Sequence, residues 1–148
     1  MVNPGLCSKL PAMTLRIVEI HPTKDPKKLN SEWFVVENIG DKPFSTRNCV
    51  VSVSPPGSKK RRELSTMDPG FVIAPGEKVR VLTGNVGRKA HGKVPAGKKV
   101  RNYNLFLNAS TLKGSGTRLV LALRSHVLTT ALFDPAAKDG IGEETEPG

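Results

Sequence analysis

EWFVVENIG, Glu32 to Gly40, is the stretch whose reading decides the fold. Trp33, Phe34, Val35 and Val36 are aromatic or β-branched, so they are stiff at χ1 and suited to a pleated surface. They are apolar on both faces of a strand, which predicts a central strand covered on both sides. Asn38 and Gly40 close it with residues that tolerate unusual dihedrals. Trp33 is expected to anchor the core.

Working outward, the same signals recur. Strands are expected over Thr14–Ile20, Glu32–Asn38, Arg47–Ser54, Phe71–Ile73, Glu77–Thr83, Asn102–Leu107, Thr117–Arg124 and Val127–Phe133. In Glu77–Thr83 the residues alternate, with Val79, Val81 and Thr83 on one face and Lys78, Arg80 and Leu82 on the other. LVLAL, 119 to 123, predicts a second central strand. Pro75-Gly76 has the chemistry of a type II turn, and Ser125-His126 that of a hairpin connection. KKRRELSTMDPG, 59 to 70, reads as polar and irregular. No segment carries a 3.6-residue apolar period of helical length. Short strands separated by turn signals predict an all-β chain folded as an antiparallel sandwich.

The length of 148 residues fits one domain. Residues 1–13 read as an N-terminal extension, 14–134 as the domain, and 135–148 as an acidic tail with too little apolar content to order itself. No signal peptide and no membrane-length apolar run is read, so the expected compartment is cytoplasmic, or nuclear in a eukaryote. Cys7 and Cys49 do not make a disulfide framework, and no Cys/His spacing suits zinc. His21, His91 and His126 read as surface or turn histidines. Cys49 is expected to be a small buried hydrophobe.

Charge is the strongest functional signal. The chain carries a net charge of +10, and it is unevenly placed. Residues 134–148 hold five acids and one base, whereas the preceding 133 residues hold 22 bases and 8 acids. Such a body attracts polyanions at long range.

Four segments together resemble the lamin tail domain, an immunoglobulin-like β-sandwich. They are Leu15–Ile20, Glu32–Gly40, the segment FVIAPGEKVRV from Phe71 to Val81, and the closing pair Leu119–Leu123 and Val127–Phe133. The resemblance covers residues 14 to 134. It implies a stand-alone immunoglobulin-like antiparallel sandwich without the coiled-coil rod of a lamin, and an interaction module rather than an enzyme. The family motif carries no catalytic residue.

GRKAHGKV, 87 to 94, misses the phosphate-binding P-loop pattern by one residue. A P-loop needs a following helix and a hydroxyl for magnesium, but here Val94 takes the hydroxyl position and Pro95 follows. Charge is what the loop offers. Arg88, Lys89, Lys93, Lys98, Lys99 and Arg101 occur with no acid among them, and Lys59, Lys60, Arg61 and Arg62 form a second run. Basic loops contact phosphate backbones by releasing counterions, without reading sequence. No aromatic residue interleaves the first loop, so base stacking is not expected there.

The sequence thus predicts a non-enzymatic module with no catalytic residues, no metal and no cofactor. It would bind nucleic acid, DNA first, or another polyanion through these ten residues. The alternative is a structural or protein-interaction module that uses the sheet surface, with the charge incidental. Nothing in the sequence fixes whether the two basic loops share one side of the fold.

Overall fold

The computed structural model describes residues 14–25, 27–58, 60–85, 87–95, 100–107, 112, 115–124 and 126–142. Eleven strands occur among them: β1 (Leu15–His21), β2 (Trp33–Asn38), β3 (Phe44–Ser45), β4 (Cys49–Ser54), β5 (Arg62–Thr66), β6 (Val72–Ile73), β7 (Lys78–Leu82), β8 (Arg101–Asn104), β9 (Arg118–Leu123), β10 (His126–Phe133) and β11 (Ile141–Gly142). Helical structure among the described residues is limited to 3-10 turns at Leu29–Ser31 and Lys89–His91. No described helix is long and apolar enough to cross a membrane.

The strands form one sheet in the order β1-β2-β7-β8, a second in the order β11-β10-β9-β4-β5, and a small ribbon of β3 with β6. Both expected central strands, β2 and β9, have neighbours on either side. One apolar cluster joins the two sheets: Leu15, Ile17, Phe34, Val36, Val79 and Val81 come from the first, and Cys49, Val51, Leu119, Leu121, Ala131 and Phe133 from the second. Thr129, buried in β10, accepts a hydrogen bond from Ile17 N–H at 3.4 Å and so ties the second sheet to β1.

Register decides which side of β2 is inside. Trp33 pairs with His21 and Leu82, and Phe34 with Ile20 and Val81. Phe34 therefore faces the core, and Trp33 stands on the outer face of the first sheet. There its ring stacks on His21 with centroids 4.0 Å apart, and the Arg80 guanidinium lies 5.1 Å over it. The expectation of Trp33 as core anchor is overturned, because alternation gives the inward position to its neighbour.

The turns explain EWFVVENIG differently from the sequence reading. Asn38 is fully buried. Its Nδ2 donates to the carbonyls of Lys42 and Ile73, both at 2.8 Å, and its Oδ1 accepts from Gly40 N–H at 2.9 Å. Gly40 serves by close approach, since a Cβ there would sit 3.3 Å from Asn38 Oδ1. The Pro75-Gly76 turn is as expected: Glu77 N–H donates to Ala74 O at 2.9 Å and Gly76 has φ +79°.

Two segments depart from expectation. Arg62–Thr66 forms β5, paired with β4 at the sheet edge. Its half-polar composition suits an edge strand, and only the partner supplies the signal. The acidic tail, up to Gly142, is built onto the fold: β11 pairs with the end of β10, Ile20 N–H donates to Asp139 O at 2.9 Å, and Asp134 N–H to Gly140 O at 2.9 Å. Residues 143–148 lie outside the described residues.

Candidate nucleic-acid interface

β1, β4, β7, β8 and β10 run toward one end of the two sheets, and β2, β5 and β9 run away from it. The register fixes this. His21, Trp33, Leu82 and Asn104 share one row, and Ser54 stands opposite Arg118. Ile20 bonded to Asp139, and Leu112 N–H donating to Glu32 Oε2 at 3.2 Å, join that end of the first sheet to the same end of the second. The connections β1–β2, β4–β5 and β8–β9, the start of β7–β8, and the β10–β11 turn all lie there.

Three basic segments therefore issue from one end. Lys60 and Arg61 are exposed in the β4–β5 connection and Arg62 at the start of β5, and Arg88, Lys89 and Lys93 are exposed in the β7–β8 connection. The β1–β2 connection adds exposed Lys24, Lys27 and Lys28, which are not among the ten basic residues expected from the sequence. Three lysines within five residues were the available signal. A surface groove of about 390 Å³ lies in this connection, lined by His21, Pro22, Thr23, Lys24, Asp25, Lys28 and Ser31. Three acids here accept local hydrogen bonds while keeping their charge, Asp25 Oδ1 from Lys27 N–H, Asp134 Oδ1 from Ala136 N–H and Asp139 Oδ1 from Ile141 N–H, and Glu63 is exposed beside Arg62.

The β1–β2 and β7–β8 connections are locked together by a polar network. Asn30 is fully buried, and its Nδ2 donates to the carbonyls of Asn85 (3.2 Å) and Gly92 (2.9 Å). Asn104 Nδ2 donates to Asn30 Oδ1 (3.0 Å) and to Gly84 O (2.8 Å). A Cβ on Gly84 would lie 2.5 Å from Asn30 Oδ1 and 2.8 Å from its backbone nitrogen, so only glycine permits this approach. His91, read as a surface or turn histidine, lies in the 3-10 turn but is buried, and its Nδ1 accepts from Asn85 N–H at 2.9 Å. That bond places the proton of the neutral ring on Nε2. Glu32, also buried, accepts from Thr83 Oγ1 at 2.6 Å and so holds the base of the same region.

This geometry answers the question raised by GRKAHGKV. A phosphate cradle needs backbone N–H groups that converge on the ligand. Here Gly87 N–H donates to Asn85 Oδ1, Arg88 N–H to Asn85 O, His91 N–H to Arg88 O and Gly92 N–H to Lys89 O. These four amides hold the turn instead of converging on one point, and the side-chain cations are left to meet a partner.

Arg101 does not join the others. β8 is parallel to β7, so its first residue lies at the opposite end, level with Val79. There Arg101 Nε contacts Glu77 Oε2 at 2.6 Å, and the Arg101 bond holds the Glu77 carboxyl below its ordinary range, helped by Ala74 N–H. Lys59, Lys98 and Lys99 lie outside the described residues. Among the described residues no cluster of His, Cys, Asp and Glu could hold a metal ion.

The sequence reading also missed Phe106, an aromatic ring at this same end. Its N–H donates to Gly84 O at 3.1 Å, and it is one of four large hydrophobic residues that the described surface exposes. No protein-family model matches the chain, and no curated protein matches it.

Proposed function

We propose that this protein is a non-enzymatic binding module that contacts the phosphate backbone of nucleic acid, DNA first, through the loops at one end of its two sheets. The observation that carries the reading is the convergence of the segments 24–28, 60–62 and 88–93 at that end, where nine exposed cations outnumber Asp25, Glu63, Asp134 and Asp139. A cluster on one side makes a directional field, whereas the same charges at opposite ends would act separately. We further read the sandwich as immunoglobulin-like and of the lamin tail type. Support comes from the strand order: β1-β2-β7 against β10-β9-β4-β5 matches strands A-B-E against G-F-C-C′. The parallel β8 is a departure from that pattern.

A second reading, a protein-interaction module, is favoured by the outer face of the second sheet. On that face Val127 is exposed and Val50, Thr130 and Leu132 are half-buried, whereas Ser52, Ser54, Val120 and Ala122 are buried, and the paired rows carry Arg118 and Glu63 as charges. The test is fluorescence anisotropy of a labelled DNA duplex across a salt series. Phosphate contacts make log K fall with log salt by about 0.9 per phosphate neutralised. Affinity that rises as salt is lowered, and is weakened when Arg88, Lys89 and Lys93 become Ser, supports the first reading. No binding of duplex or single strand at low salt removes nucleic acid and leaves the sheet face.

A further inference from the structure

Phe106 is 58% exposed and has φ +60°. Both features are unfavourable for this residue. A bulky side chain in the left-handed region crowds the carbonyl that follows it, and an exposed phenyl ring forgoes its burial. Asparagine or glycine at 106 would relieve both. The local backbone explains how the ring is presented. Leu105 N–H donates to Leu82 O and Leu107 N–H to Thr83 O, while Phe106 N–H, between them, reaches to Gly84 O. The chain kinks there, so that Leu105 and Leu107 pack against the core and the ring between them swings into solvent.

The ring shares its end of the fold with the basic segments. Gly84, which holds Phe106 N–H, opens the connection that carries Arg88, Lys89 and Lys93. Asn104, two residues back, shares that Gly84 carbonyl and bonds Asn30, beside Lys27 and Lys28. The partner that fits must offer a flat apolar face together with negative charge. An unpaired nucleotide offers both, because its base stacks on an aromatic ring and its phosphate meets the cations. A duplex hides its base faces in the stack.

We propose that Phe106 is a stacking platform for an unpaired base, so that the basic end binds single-stranded nucleic acid in preference to duplex. This rests on the nucleic-acid reading above and specifies its substrate class.

The experiment compares a labelled twelve-residue oligothymidylate with a labelled duplex, by anisotropy at several salt concentrations, for the wild type, Phe106→Asn and Phe106→Trp. Phe106→Asn keeps a residue that accepts the left-handed backbone, so it tests the ring without threatening the fold. The wild type should bind the single strand more tightly. Phe106→Asn should lose between about fivefold and 150-fold on the single strand, the range that one stacked base supplies, and keep its duplex affinity and salt slope. Phe106→Trp should retain single-strand binding. Equal affinity for the two forms, or an unaltered Phe106→Asn, overturns the stacking proposal while salt-dependent duplex binding upholds the parent reading. Absence of both forms of binding overturns both, and binding of the wild type to anionic lipid vesicles instead would make the ring a membrane contact.

Discussion

Cys49 lies within the core with none of its surface exposed, and burial pushes its thiol up to about 11 from an ordinary 9.0. The thiolate is the reactive form, so the native thiol should resist modification. In a Cys7→Ser background, a disulfide reagent at pH 8 should label no thiol in the folded protein and one after denaturation. The sign of the pH effect follows from the same shift. The folded state favours the protonated thiol, so its contribution is whole below pH 9 and is lost as pH rises toward 11. The urea midpoint should fall over that range more steeply than in Cys49→Ala. Arg101 makes a second prediction at this scale. It is held by Glu77 at the end away from the basic loops, so Arg101→Ser should leave DNA affinity and salt slope unchanged. The bond holds the Glu77 carboxyl down, so what the pair contributes is present at neutral pH and lost as pH falls into the acid range.

The elements at the basic end depend on buried polar contacts rather than on apolar packing alone. Asn30 satisfies two carbonyls of the β7–β8 connection and accepts from Asn104, so Asn30→Ala removes three hydrogen bonds, of which Asn85 O keeps Arg88 N–H and Asn104 Nδ2 keeps Gly84 O while Gly92 O loses its bond to Asn30. Each buried polar group left unpaired costs about 1–3 kcal/mol. The connection should then open locally, and trypsin should cut after Arg88, Lys89 and Lys93 at least several-fold faster than in the wild type, measured by mass spectrometry. The β10–β11 turn is held as tightly. Gly140 has φ +80°, and a Cβ there would lie 1.9 Å from Ile20 O. Gly140→Ala should detach residues 134–142 and lower stability by about 1–3 kcal/mol, the usual cost of forcing atoms into a packed site. The check is chemical denaturation beside a chain ending at Phe133, which should be destabilised similarly.

For the whole molecule, placement of charge matters more than its total. The described residues of the opposite end hold Glu37, Asp41, Asp68 and Glu77 beside Arg16, Lys42, Arg47, Lys78, Arg101 and Arg124, a smaller excess of bases than at the basic end. Replacing Lys60, Arg61 and Arg62 by Ser should reduce the salt slope of DNA binding, as should replacing Arg88, Lys89 and Lys93. Combining the two sets should reduce it further. An equal number of serines at Lys42, Arg47 and Lys78 should change it by less than either set, although net charge falls by the same amount. β11 bears on this too. It runs antiparallel to β10, so the chain at Gly142 heads away from the basic end.

Much of this molecule was written locally. Strand-forming runs, the absence of helical periodicity, the Pro75-Gly76 turn and the excess of bases depend on residue type and near neighbours, so the sequence by itself determined them. It also determined that β2 and β9 are central, because each is apolar on both faces. What only the tertiary structure decided is non-local. A period of two means that a shift of one residue exchanges inside for outside, so pairing with β1 and β7 was needed to put Phe34 in the core and Trp33 on the outer face. β5 and β11 exist as strands because a partner completes their hydrogen bonds. The parallel pairing of β8 with β7 sends Arg101 to one end and Arg88 to the other, though they sit in one continuous basic run. The basic segments 24–28, 60–62 and 88–93 and the exposed ring of Phe106 meet at one end because strand direction carries them there, and strand direction is a property of the sheets, which no short window of sequence contains.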